Sequence, residues 1–215
     1  ELDEGDELVG TAITDGSKDV MLISSSGKTI RFKEEDVRAM GRTARGVRGI
    51  KMNEEFKMIA LIIPDTAKQI LTVCEQGYGK RTLLSEYNVQ GRGGQGVISI
   101  QTTERNGDSV GAILVEEDDE AMLITNGGTL VRTRVKEVSV IGRNTQGVKI
   151  IGVSKNEQLI SIQKVAESEE EEELELDAEG NAVSTESIDD EAVNLADESA
   201  ADKESDDSGE ASTES

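Results

Sequence analysis

The sequence predicts an all-β, propeller-like wheel of four-stranded blades followed by a disordered tail, and three observations lead there. A heptad of the form Gly-Arg-x-x-(Arg/Gln)-Gly-Val occurs at 41–47, 91–97 and 142–148, so a longer unit recurs about every fifty residues. Short apolar runs at 20–23, 70–73 and 121–124 are each followed by a glycine (Gly27, Gly77, Gly128), then by an arginine four residues on (Arg31, Arg81, Arg132), the pattern of strand, turn and strand. Apolar segments also precede each hairpin (8–13, 58–63, 110–115) and follow each heptad (47–52, 97–100, 148–153), which makes four short strands per unit.

Taken in order, the repeats run over about 8–57, 58–109 and 110–166, within a wheel domain at 1–166. The segment 34–40 is too short and too closely flanked by glycine for a stable helix and reads as a loop. The heptads read as loops whose glycines chiefly permit positive φ. A last apolar strand at 159–162 has no hairpin after it and should complete the third blade or close onto a neighbour. Three blades fall short of the four to eight of closed wheels. Since residue 1 is Glu, the expectation is that the wheel continues upstream.

Composition narrows the chemistry. The 215 residues contain no His, one Cys and no Trp, which excludes a Cys/His zinc site, a Cys/His nucleophile pair and an intrachain disulfide. They also suit an intracellular chain. No apolar run reaches the length of a membrane span, and the first twenty residues lack a signal-peptide pattern. The net charge of −22 is unevenly placed: 167–215 carry −20 and 1–166 only −2. Residues 167–215 contain five consecutive glutamates from Glu169 to Glu173 and no aromatic residue, a composition that predicts disorder. Cys74 continues an apolar strand and reads as a small buried hydrophobe. Glu116 to Glu120 read as a solvated loop.

The candidate site is a set of cations at repeating positions. In the third unit Val131, Thr133 and Val135 alternate with Arg132, Arg134 and Lys136, so a strand would show cations about 6.6 Å apart on one face. Arg31 and Lys33 hold that register in the first unit, Lys80 and Arg81 in the second. Arg42, Arg92 and Arg143 come from the heptads, with Arg45 and Arg48 added in the first. Surface cations ordinarily only solvate. Recurrence at equal register beside Gly-rich backbone instead suits a polyphosphate backbone. Four Phe and Tyr residues in all are too few for a base-stacking platform, so base-specific readout is not expected.

Several stretches carry a family resemblance. Gln90-Gly91-Arg92-Gly93-Gly94-Gln95-Gly96 resembles a degenerate gyrase A box, with Gly91 and Gln95 where the family pattern has cations. Gly79-Lys80-Arg81-Thr82, Thr103-Glu104-Arg105-Asn106-Gly107 and the stretches 128–134 and 140–148 closely resemble the C-terminal end of the bacterial DNA gyrase A family. The resemblance covers about residues 5–166. It implies the last three blades of a six-bladed β-pinwheel that wraps double-stranded DNA, part of an ATP-dependent type IIA topoisomerase that introduces negative supercoils. With that role, the recurring cations Arg31, Arg42, Arg45, Arg48, Lys80, Arg81, Arg92, Arg132, Arg134 and Arg143 are expected to contact DNA phosphates along the rim. The resemblance further implies that this stretch holds no catalytic residue and no cofactor. ATP and Mg would be bound by the B subunit, the partner of the A subunit in an A2B2 complex, in the cytoplasm and at the nucleoid. Tyr78 and Tyr87 lie within a blade repeat and are not catalytic candidates. The box function is not carried over, since the family places it in the first blade. The alternatives are the C-terminal domain of a topoisomerase IV A subunit, which lacks the box, and a propeller that serves as a protein-interaction platform.

Overall fold

Three hairpins carry the fold, and each is closed by a glycine in the left-handed region. The computed structural model describes residues 2–65 and 67–165, together with two short strands further on. The strands are β1 (Asp19–Ser24), β2 (Lys28–Lys33), β3 (Met58–Ile62), β4 (Gln69–Cys74), β5 (Tyr78–Leu83), β6 (Val97–Ile98), β7 (Ser109–Val115), β8 (Glu120–Thr125), β9 (Leu130–Arg134), β10 (Val148–Lys149), β11 (Leu159–Lys164), β12 (Glu175–Leu176) and β13 (Ala182–Val183). Gly27, Gly77 and Gly128 turn the β1–β2, β4–β5 and β8–β9 hairpins at φ +73°, +76° and +84°, conformations that L side chains avoid.

Sheet membership departs from the repeat bounds read in the sequence. The strands pair in the orders β3-β1-β2-β6, β10-β5-β4-β7 and β11-β8-β9. Met58–Ile62 therefore closes the first blade against β1 and does not open the second; β7 and β11 do the same for the second and third blades. The trailing strand completes the last blade. Each of these pairings carries a bulge at the same place, between Ile23 and Ser24, between Val73 and Cys74, and between Leu159 and Ser161 opposite Ile124 and Thr125. The expected strand at 8–13 does not form: the segment is in no ladder and is exposed.

The strands expected after the heptads shrink to two residues each and belong to the blade before. β6 adds to β2, pairing Lys28 with Ile98 and Thr29 with Val97. β10 adds to β5, pairing Gly79 with Val148 and Tyr78 with Lys149. Residues 47–52 occupy the corresponding place in the first unit and are in no ladder. Among the described residues the third blade thus has three strands, not four. The stretch expected as a loop at 34–40 begins with one turn of 3-10 helix at Glu34–Asp36, repeated at Leu84–Glu86 and Val135–Glu137.

The core lies between blades. Met21, Ile23, Ala60 and Ile62 of the first blade meet Ile70, Leu84, Tyr87 and Ala112 of the second unit. Leu71, Val73 and Val115 meet Ala121, Leu123, Val135, Val138, Leu159 and Ile162 of the third. The middle hairpin is covered on both faces, so Ile70 to Cys74 of β4 are all buried, whereas β1 alternates. Side chains such as Ile70 and Leu71, each fully or almost fully buried, contribute about 1.5–3 kcal/mol apiece. Residues 168–215 form a separate unit. Of it the structure describes only the antiparallel pair β12–β13, so the expected disorder of the acidic tail lies outside the described residues.

Candidate nucleic-acid interface

The repeating cations separate into two groups, those that join blades and those that face solvent. Arg31 on β2 and Arg81 on β5 hold the same register, and both reach forward into the next unit. Arg31 donates from Nη1 to the carbonyls of Leu84 (3.5 Å) and Tyr87 (3.2 Å), and pairs with Asp19 on its own hairpin at 2.6 Å. Arg81, 5% exposed, donates from Nε to Val138 O (2.6 Å) and from Nη2 to Lys136 O (3.3 Å). The acceptors are carbonyls in and just after the 3-10 turns; Leu84 O also accepts the Tyr87 N–H of its own turn (3.0 Å), whereas a single turn supplies no donor to those near its end. Burial works to raise the Asp19 carboxyl, but hydrogen bonds from Lys33 and Arg31 outweigh it and hold it below the usual carboxylate range.

Lys80 is also an internal group. Its ammonium is fully buried and donates to Gly142 O (2.7 Å), Arg143 O and Thr145 Oγ1 (3.2 Å), holding the third heptad loop from beneath. Burial pulls its pKa down to about 8. The expectation of phosphate contacts at Arg31, Lys80 and Arg81 is therefore corrected, because these side chains are buried or mostly covered and their donors are spent on carbonyls of the next unit. Ile30 stands at the register of Lys80 in the first blade and Val131 in the third, a sign that the position faces inward.

The heptad arginines reach backward. Arg92 donates to Asp36 O (2.9 Å) and Arg48 O (2.6 Å), and Arg143 to Ile98 O (3.0 Å). Both remain partly exposed, with further donors beyond these bonds. Arg42 and Arg48 are exposed along the same loop, and Arg45 pairs with Asp3 at 2.6 Å while staying largely exposed. Backbone bonds stack these loops edge to edge. Gly93 N–H donates to Gly49 O (2.6 Å), Lys51 N–H to Gly94 O (2.8 Å) and Gln101 N–H to Thr145 O (2.8 Å). The loops thus run as one rim carrying Arg42, Arg45, Arg48, Arg92 and Arg143.

Two lysines missed in the sequence join this rim. Lys51 and Lys28 line one shallow hollow with Ser26, Asn53 and Gln95. Neither position repeats as a cation, since Lys51 corresponds to Gln101 and Gly152 and Lys28 to Tyr78 and Thr129, so a search for recurrence passes over them. Arg132 and Arg134 lie on β9 with largely exposed side chains, as the alternation predicts, but both turn to Glu120 of the same hairpin. Asp119 is likewise no part of a solvated loop: it is buried, accepts the Glu116 N–H (2.7 Å) and pairs with Lys164 (2.7 Å).

The last glycine of each heptad takes a left-handed φ and the first does not; Gly93, inside the second heptad, takes one as well (φ +81°). Gly46, Gly96 and Gly147 have φ +88°, +68° and +78°, whereas Gly41, Gly91 and Gly142 do not enter the left-handed region. A side chain on Gly147 would stand 2.7 Å from Gly79 O, the carbonyl of the strand that receives β10. Cys74 is fully buried, and burial pushes its thiol up to about 12, in line with a packing role. No helix among the described residues is long and apolar enough to cross a membrane.

Blades that exchange short strands and are clasped by arginines in both directions define a strand-swapped propeller. The chain belongs to the DNA gyrase C-terminal, β-propeller family, whose model matches residues 18–63, 68–116 and 119–166, each segment holding one hairpin and the strand that closes it, with β6 and β10 passed to the blade before. It is 52% identical over 212 residues to the DNA gyrase A protein of Klebsiella oxytoca, covering 99% of this chain and 22% of that one. To the DNA gyrase A protein of Salmonella typhimurium it is 57% identical over 166 residues, covering 77% and 19%. The chain thus spans about a fifth of the length of these relatives. Among solved structures, a DNA gyrase A C-terminal domain superposes with TM-score 0.65 at 30% identity, covering 70% of this chain and 51% of the other. A topoisomerase IV C-terminal domain shares the fold at TM-score 0.72 and 23% identity, covering 77% and 52%.

Proposed function

We propose that this chain is the DNA-wrapping part of a DNA gyrase A protein, located in the cytoplasm and at the nucleoid, and that it binds double-stranded DNA along the heptad rim. The observation that supports this reading is the continuous line of partly or fully exposed cations, Arg42, Arg45, Arg48, Lys51, Arg92 and Arg143, on loops stacked by backbone hydrogen bonds. The mechanism is electrostatic. Cations on a rigid rim replace condensed counterions along a phosphate backbone and read no bases, so binding follows charge and curvature. In the parent A2B2 complex, ATP and Mg held by the B subunit would drive strand passage. This rim would supply the wrapped segment whose crossing gives that passage its direction.

The acidic segment 167–215 carries −20 against a nearly neutral wheel, and in this reading it competes with DNA for the rim. The test is duplex binding by fluorescence anisotropy over a salt series, together with ligation of nicked circles bearing the bound chain. The rim reading expects salt-sensitive affinity and a shift in topoisomer distribution that grows when the chain is cut after Ala166. Affinity indifferent to salt would overturn the rim, and a protein-interaction platform would bind no duplex at all. Unchanged topoisomers after truncation would remove the role of the tail.

A further inference from the structure

The joint where β10 joins the second blade is closed by its own polar side chains, and the same positions where β6 joins the first blade are not. In the β10 joint Asn106 is fully buried and donates from Nδ2 to Gln101 O (2.8 Å) and to Gln146 O of the third heptad (3.2 Å), while its Oδ1 accepts the Thr103 N–H (2.8 Å). Gln101 donates from Nε2 to Asn144 Oδ1 (3.0 Å), and the Arg105 guanidinium lies 4.8 Å from the centre of the Tyr78 ring. These groups spend their donors on one another.

Fifty residues earlier the side chains differ. Phe56 stands at the place of Asn106, Lys51 at that of Gln101 and Lys28 at that of Tyr78. A phenyl ring has no amide with which to bridge the loops, and a hollow of about 280 Å³ remains, lined by Ser26, Lys28, Lys51, Asn53, Phe56 and Gln95. Backbone bonds fix where its two cations start. Lys28 pairs with Ile98 across β2 and β6, and Lys51 N–H donates to Gly94 O (2.8 Å). Among the described residues neither ammonium is in an ion pair and the Gln95 amide makes no hydrogen bond. The Asn53 amide turns to Glu55 of its own loop (3.4 Å), and Ser26 shares a hydroxyl bond with Ser24 (2.8 Å).

We propose that this hollow seats one phosphate group, held by Lys28, Lys51 and the Gln95 amide. Two ammoniums and an amide without an internal acceptor call for a compact anion rich in acceptor oxygens, and lysine serves phosphate as a point charge. The volume is small beside the roughly 300–1,000 Å³ of pockets that enclose an organic ligand, and its lining is mostly polar. Lys28 is half-buried, so its charge is screened less than that of a lysine on open surface. The proposal deepens the DNA-rim reading and rests on it only for the source of the phosphate. On that reading the group is a backbone phosphate of the duplex, and the hollow is a fixed anchor beside the heptad arginines; free inorganic phosphate offers the same chemistry.

The test is lysine footprinting of the whole 215-residue chain with an acylating reagent, read by peptide mass spectrometry. The probes are inorganic phosphate at tens of millimolar and a plain duplex, each against sodium chloride at equal ionic strength. Both probes should slow labelling of Lys28 and Lys51 at least fivefold, and phosphate should leave the exposed Lys57 and Lys155 within twofold. Lys28→Gln, with folding checked by circular dichroism, should abolish the protection of Lys51 by phosphate. Protection by phosphate together with a duplex that binds without protecting supports the seat and assigns it to a free anion. The same protection with no duplex binding by anisotropy supports the seat and removes the rim reading. Protection by duplex alone, protection by phosphate spread evenly over the four lysines, or protection of Lys51 that survives Lys28→Gln would each overturn the proposal.

Discussion

Arg81→Met and Arg132→Met change the same register of two hairpins and should have very different effects. Arg81 is buried and its guanidinium satisfies Val138 O and Lys136 O of the next unit. A hydrogen bond from a charged donor contributes about 1.5–3 kcal/mol. Val138 is buried, so its carbonyl loses its donor without access to water, while Lys136 is exposed and its carbonyl can be rehydrated. Relief of the desolvated guanidinium offsets part of the loss, and Met keeps the packing of the stem. The net cost of Arg81→Met is about 2–4 kcal/mol. Arg132 makes an exposed ion pair with Glu120, worth about 0–1 kcal/mol. Urea unfolding of the two variants compares them directly. Equal destabilisation would refute the assignment of Arg81 to the joint. So would an Arg81 variant of unchanged stability that has lost affinity for duplex DNA.

Other outcomes follow from the same geometry. Gly147→Ala, forced to φ +78° with a Cβ 2.7 Å from Gly79 O, should cost about 2 kcal/mol or more in urea unfolding. Gly142→Ala, with ordinary φ and open space, should change stability by less than about 0.5 kcal/mol. The Asp19 carboxyl sits below its ordinary value through Lys33 and Arg31, so it stabilises the fold above the unfolded pKa and that contribution disappears as pH falls through the folded one. Asp19→Asn should therefore flatten the acid limb of a stability–pH curve below about pH 4; an unchanged acid limb would remove the role of the pair. With its thiol near 12 and no exposed surface, Cys74 should react with a thiol reagent at about pH 8 only at the rate of unfolding, and fast labelling of the native chain would contradict its burial.

The period, the hairpins and the all-β class were legible because they rest on local chemistry. A glycine that must take positive φ and apolar runs of strand length recur wherever the unit recurs, and Gly27, Gly77 and Gly128 show it. Blade membership was not legible. Residues 58–62 lie much nearer in sequence to the second hairpin than to the first, and only the pairing with β1 places them in the first blade. The same limit applied to the cations. Arg81 and Arg132 look alike in sequence, and what separates them is whether another unit's carbonyls stand in front of the guanidinium. Lys80 was misplaced for a related reason, because a buried ammonium needs three oxygens supplied from more than sixty residues away. Lys28 and Lys51 carried no repeat signal, and their place beside the second loop comes entirely from tertiary contacts.

The central claim is that the heptad rim binds DNA while the register arginines bind the blades to one another. It is tested most directly by the salt dependence of duplex affinity for the wild-type chain and for Arg42→Ser/Arg48→Ser/Lys51→Ser. At about 0.9 per neutralised phosphate, six rim cations give a slope of log affinity against log salt near −5, and the triple variant should lower its magnitude by about 3 with folding intact. A triple variant with the wild-type slope would contradict the account.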